Sequence, residues 1–194
     1  MKKLSRNDLY SLEEYSQIRN EFRNRVMQHK KNRRIALGEH ATLYFEDRLT
    51  MQYQVQEMLR IEKIFETDAI EEELQAYNPL IPDEQNWKAT FMLEFEDVTD
   101  RRQALAKLNG IEEKVWVQVD NLERVYPIAN EDLVRSNADK TSAVHFMRFE
   151  LDSDMLAALE NGANISMGIE HPAYRHKMDR VPEQVKNSLL ADLH

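Results

Sequence analysis

The residues that could do acid–base or metal chemistry in this chain are histidines and carboxylates, because there is no cysteine. Thiol catalysis, disulfides and thiolate-held zinc or iron–sulfur sites are thereby excluded. Histidines stand at positions 29, 40, 145, 171, 176 and 194. Imidazole titrates near neutral pH and is a common metal ligand, so proton transfer or metal binding would be built on these. Neither His-Glu-x-x-His nor Glu-x-x-His occurs, which removes the usual helical zinc-protease and di-iron spacings. Glu39-His40 and Glu170-His171 each place an acid beside an imidazole near the end of an expected element. With His145 and Glu57 they form a candidate ligand set: Glu57, His40, His145 and His171, in a site between a helical N-terminal part and a sheet. The alternative is a capping or surface role for each histidine, and for Glu57 an i, i+3 ion pair with Arg60. No Gly-x-Ser-x-Gly elbow, P-loop or Gly-x-Gly-x-x-Gly is present; the four glycines, at 38, 110, 162 and 168, are too scattered to cradle phosphate.

Charge gives a second kind of candidate. The net charge is −9, yet residues 1–34 hold ten Lys/Arg against four acids. That segment is therefore +6 and the remainder −15. Arg23, Arg25, Lys30, Lys31, Arg33 and Arg34 follow one another with no intervening acid. Such an arm can dock an acidic partner. The simpler reading is that it complements the dipole of its own helix, or packs on the acidic segment Glu66, Asp68, Glu71, Glu72, Glu73. Nucleic acid is a third reading, disfavoured because −15 elsewhere repels a phosphate backbone.

These groups need elements to hold them. At 194 residues, 42% hydrophobic and 31% charged, the chain suits one large or two small globular domains. No apolar run approaches the roughly 18 residues that span a bilayer, and the first residues lack an apolar signal core. Ser11-Leu12-Glu13-Glu14 is a capping box, and Tyr15, Ile18, Phe22 and Val26 follow at helical spacing, predicting a helix over 12–32. Ala41-Thr42-Leu43-Tyr44-Phe45-Glu46 reads as a short strand or an extended stretch, and Asp47 is the expected N-cap of a second helix, 48–65. Its apolar residues spread so widely around the wheel that burial on most sides is expected. A third helix over 68–77 ends at Asn78-Pro79, and a stiff connector with two prolines follows. Beyond it the expected elements are strands at 89–96, 115–119, 123–128, 143–151 and 164–170, and helices at 100–108, 152–159 and 182–191. Thr99 is the expected cap of the first of these helices. The polar stretch 130–140 reads as a short helix or loop.

Two stretches echo each other. Phe91-Met92-Leu93-Glu94-Phe95-Glu96 resembles Phe146-Met147-Arg148-Phe149-Glu150. Each leads into a helix containing Ala-Leu, then Asn-Gly, then an alternating strand. The expected fold is α+β: a helical N-terminal part, 1–82, packed on a mainly antiparallel sheet, 83–194, built from two strand–helix–strand units. The two parts are expected to make one compact unit, with the units sharing one sheet and their helices on one face.

The segments Gln54-Val55-Gln56-Glu57-Met58-Leu59-Arg60-Ile61-Glu62-Lys63-Ile64-Phe65, Tyr77-Asn78-Pro79-Leu80-Ile81-Pro82 and Thr141-Ser142-Ala143-Val144-His145-Phe146-Met147-Arg148-Phe149-Glu150 give the chain a family likeness. In this order they resemble an uncharacterised bacterial family, domain of unknown function 3501, from Leu12 to Leu190. The resemblance implies no catalytic residues and no cofactor. It implies a context, since such genes often stand beside those for rubrerythrin-like di-iron proteins and iron–sulfur oxidoreductases of the heterodisulfide-reductase type. The expectation is a cytoplasmic accessory protein of peroxide defence or electron transfer. The alternative is a metal- or cofactor-binding protein or enzyme that uses the His/Glu set.

Overall fold

The computed structural model describes residues 1–131, 135 and 140–193. The expected helix or loop over 130–140 and His194 therefore lie largely outside the described residues. In chain order the elements are α1 (Leu12–Lys31), β1 (Arg34–Ala36), β2 (Ala41–Glu46), α2 (Arg48–Glu62), α3 (Thr67–Tyr77), β3 (Asn86–Leu93), α4 (Val98–Lys107), β4 (Val115–Val119), β5 (Ile128–Ala129), β6 (Val144–Glu150), α5 (Ser153–Glu160), β7 (Ile165–His171), β8 (Tyr174–Met178) and α6 (Glu183–Leu190). The fold class is α+β.

The helices begin where polar side chains take up orphan N–H groups. Ser11 accepts from the Glu14 N–H and Asp47 from the Thr50 N–H, each within a capping box. Asp152 accepts from the Met155 N–H. At α4 the cap is Asp97 rather than Thr99: its carboxylate accepts from the N–H groups of both Thr99 and Asp100. An acceptor two residues earlier reaches both donors, and Thr99 becomes part of the first turn.

The strands form two antiparallel sheets, not one. The larger runs β1-β2-β3-β6-β5 and the smaller β4-β7-β8. The sequence echo survives in a different form. The units are β3-α4-β4 and β6-α5-β7, and each gives its first strand to one sheet and its second to the other. β3 pairs with β6 (Ala89 opposite Met147) and β4 with β7 (Val117 opposite Met167). The N-terminal part is more than helices: the strand reading of 41–46 holds as β2, and with β1 it extends the larger sheet through β2–β3 pairing (Leu43 opposite Phe91). Apolar residues of both sheets share the main core: Leu43, Trp87, Phe91 and Phe149 from one, Val117 and Met167 from the other. Gly168 lies against Trp116, and a Cβ there would collide with the indole ring.

The helical layer has its own cores. Met51, Val55, Leu59, Ile70 and Leu74 join α2 to α3. Tyr15, Phe22 and Val26 of α1 pack with Leu49 and Tyr53 of α2. The α1–α2 pair is antiparallel, as its contacts show: His29 meets Asp47, Phe22 meets Tyr53, and Tyr15 meets Glu57. α2 is covered on most sides over residues 48–59, none of which is exposed, as expected, but its last turn is not. It stops at Glu62, Lys63 takes the left-handed conformation (φ 57°), and the next residues leave the helix axis. Ile61 and Phe65 consequently remain 60% and 70% exposed. Among the described residues no helix is long and apolar enough to cross a membrane.

Candidate functional site

The four candidate ligands fall in four different settings. Glu57 lies between α1 and α2, where its carboxylate accepts two hydrogen bonds from Arg19, both 2.8 Å, and one from the Tyr15 hydroxyl at 2.8 Å. The expected i, i+3 pair with Arg60 is present at 3.2 Å. The Arg19 hydrogen bonds, with those of Tyr15 and Arg60, outweigh partial burial and hold this carboxyl down at about 2. Glu57 is thus an ionised clamp between helices.

His145 is fully buried beside Phe91. Thr141 donates from Oγ1 to Glu112 (3.1 Å), so the same oxygen accepts from His145 Nε2 (2.9 Å). The Ser142 carbonyl is a second acceptor for Nε2 at 3.0 Å. Nδ1 then accepts from the Asn130 amide at 3.0 Å. These partners assign the Nε2–H tautomer. Burial pushes the imidazole below its usual range, although Glu112, 3.9 Å away, pulls the other way. His171 is also buried; its Nε2 donates to the Asn109 carbonyl (3.1 Å) and its Nδ1 accepts from the Ala173 N–H (3.2 Å). That arrangement ties the end of β7 to the Asn-Gly turn after α4.

His40 differs. Its Nδ1 donates to the Glu94 carbonyl at 3.0 Å and its ring stacks on Phe95, centroids 4.2 Å apart. Nε2 has no protein partner among the described residues. The ring lines an open cleft of about 990 Å³ together with Arg34, Glu39, Glu94, Asp100 and Arg101. A histidine held through Nδ1–H by a carbonyl, with Nε2 open, is the arrangement a ligand or base requires. Among the described residues, however, no three His, Asp or Glu side chains converge as a metal ion needs. The structure does not bring Glu57, His40, His145 and His171 together.

The basic arm divides in the same way. Arg33 is 2% exposed and is not available to a partner. Its guanidinium donates to the carbonyls of Phe45, Glu46 and Ser188 and to Asp192 at 2.5 Å. Asp47, 3.4 Å from Arg33, is also held by His29 at 2.5 Å. Burial opposes ionisation of Asp47, but His29, Arg33 and the Thr50 N–H together keep its carboxyl below the usual range. At Asp192 the balance reverses. Burial outweighs Arg33 and raises the carboxyl to about 6, and Oδ1 has no hydrogen-bond partner among the described residues. Arg33 therefore latches the C-terminal segment to β2 and α2. The other five cations, Arg23, Arg25, Lys30, Lys31 and Arg34, lie at the surface and make no ion pair among the described residues. Arg25 stacks over Phe22 and Arg34 over Tyr44. The acidic segment 66–73 is not the arm's partner: in the antiparallel pair it lies beyond the other end of α2.

Sequence reasoning missed two groups: the Asp192 end of this latch, whose partner is 159 residues away, and the exposed Ile61–Phe65 end of α2.

No curated protein matches this chain. A solved structure, described as a novel protein of unknown function from Burkholderia pseudomallei K96243, is 49% identical over 100% of both chains, with a TM-score of 0.94. The family described as protein of unknown function (DUF3501) matches residues 3–193, and the chain belongs to that family.

Proposed function

We propose that this chain is an accessory partner protein of a cytoplasmic redox or peroxide-defence system, and that it docks through the basic end of α1. One observation carries the reading: Arg23, Arg25, Lys30 and Lys31 on the C-terminal half of α1, and Arg34 just after it, form no ion pair among the described residues, on a chain of net charge −9. Cations left unpaired on an acidic protein cost nothing in the fold and steer association with an acidic surface. The partner class comes from the gene context implied by the family likeness: a rubrerythrin-like di-iron protein or an iron–sulfur oxidoreductase. Titration of each purified candidate into the chain tests it. Saturable binding that weakens with salt, and weakens about ten-fold or more in Arg23→Glu/Arg25→Glu/Lys31→Glu, is the expected result. Titrations showing no binding to either candidate would sink the proposal.

The second reading, a metal- or cofactor-binding protein or enzyme, is favoured by His40, whose Nε2 is open to the cleft beside Glu39 and Glu94. Near-stoichiometric metal in untagged protein purified from its host, lost in His40→Ala with the fold intact, is the outcome this reading requires.

A further inference from the structure

The far end of the α1–α2 pair carries surface chemistry opposite to the basic arm. Phe65 and Ile61 are the two most exposed large apolar side chains among the described residues. Phe65 borders a groove of about 210 Å³ whose other walls include Leu9, Leu12, Leu59, Ile64 and Ile70, with Arg6 at its edge donating to the Thr67 hydroxyl. Glu62, Glu66, Asp68, Glu71 and Glu72 are exposed around it, and none forms an ion pair among the described residues. Partial burial, with smaller contributions from Glu62 and Glu72, pushes the carboxyl of Glu73 above its usual range. An aromatic anchor beside an apolar groove, on a segment whose exposed carboxylates outnumber the nearby cations Arg6, Arg60 and Lys63, resembles an interface centre and rim.

We propose that this end is a second docking surface, for a protein segment that presents an apolar side chain within a basic rim. The groove and Phe65 would take the apolar group, and the carboxylates of the α2–α3 turn would take lysines or arginines. Solvent exposure of Phe65 costs the chain alone, whereas a partner would remove that surface from water. This surface shares no residue with the basic end, so failure of either proposal leaves the other standing.

The test uses the full chain and a synthetic amphipathic helical peptide of leucine and lysine, with oligolysine of equal charge as control. The expected result is saturable binding, with NMR amide shifts centred on Ile61, Ile64 and Phe65 and affinity at least ten-fold above oligolysine. Phe65→Ala should weaken binding about ten-fold or more; its exposure protects the fold, which the thermal midpoint verifies. Glu71→Lys/Glu72→Lys should weaken binding and flatten its salt dependence, while Arg25→Glu/Lys31→Glu should leave it unchanged. Equal binding of oligolysine, indifference to Phe65→Ala, or no saturation would overturn the proposal. A dimer in sedimentation that Phe65→Ala abolishes would also overturn it, because the surface would then belong to a second copy of the chain.

Discussion

Arg33 and its neighbours in the basic arm share a charge and a stretch of chain, but differ in what surrounds them. Arg33 is enclosed by Phe45, Glu46, Asp47, Ser188 and Asp192, and its charge is matched inside the protein. Arg23, Arg25, Lys30, Lys31 and Arg34 keep their charge at the surface. The lesson is that a run of like charges in sequence is not one functional unit: the fold uses one member for internal stability and leaves five at the surface. The histidines repeat the contrast, with His145 enclosed and saturated and His40 open on one side.

The largest effect that separates the two kinds of cation is on stability. Arg33→Met leaves Asp47 and Asp192 without their shared partner, and should cost about 3–5 kcal/mol in denaturant unfolding. Glu57→Gln breaks the Arg19 clamp and should cost about 1–3 kcal/mol. Its pKa is lowered to about 2, so the stability it contributes is present above pH 4.5 and is lost as pH falls through about 2. At His145 the folded protein resists protonation that the unfolded chain accepts near 6.5. Stability should therefore fall as pH drops below 6.5, and His145→Gln should flatten that slope in unfolding measured between pH 5 and 7.5. Asp192 works with the opposite sign. Its raised carboxyl contributes stability that is complete below pH 3.8 and is lost as pH rises through about 6, so Asp192→Asn should compare best with the native chain at the higher pH. The smallest effect belongs to the exposed arm: Arg25→Glu or Lys31→Glu should change stability by less than about 0.5 kcal/mol. An Arg25→Glu loss as large as that of Arg33→Met would erase the distinction.

Local signals in the sequence located most elements. The capping residues Ser11, Asp47 and Asp152, the connector after Tyr77 and the alternation of Val115, Val117 and Val119 all lie where the structure uses them. Alternation reports which side chains share a strand face, not which sheet the strand joins, so the two echoing units were legible and the division into two sheets was not. β8 escaped because Tyr174-Arg175-His176-Lys177-Met178 is a largely exposed edge strand with no apolar pattern. Phe65 read as part of a buried helical arc because nothing local announces that Lys63 turns left-handed. The burial of Arg33 depends on Asp192 at the far end of the chain, and only tertiary structure supplies that contact. Of the candidate ligands, spacing could flag His40 but could not show that Glu57, His145 and His171 are each occupied by their own neighbours.

The central claim is that the basic end of α1 is held for another protein. Calorimetric titration of untagged chain with the purified rubrerythrin-like protein and with the iron–sulfur oxidoreductase, at low and high salt, tests it most directly. The account predicts saturable binding to at least one of them, weakened by salt and by Arg23→Glu/Arg25→Glu/Lys31→Glu, with the thermal midpoint of the variant unchanged. Binding that the triple reversal leaves intact, or no binding to either protein, would contradict it.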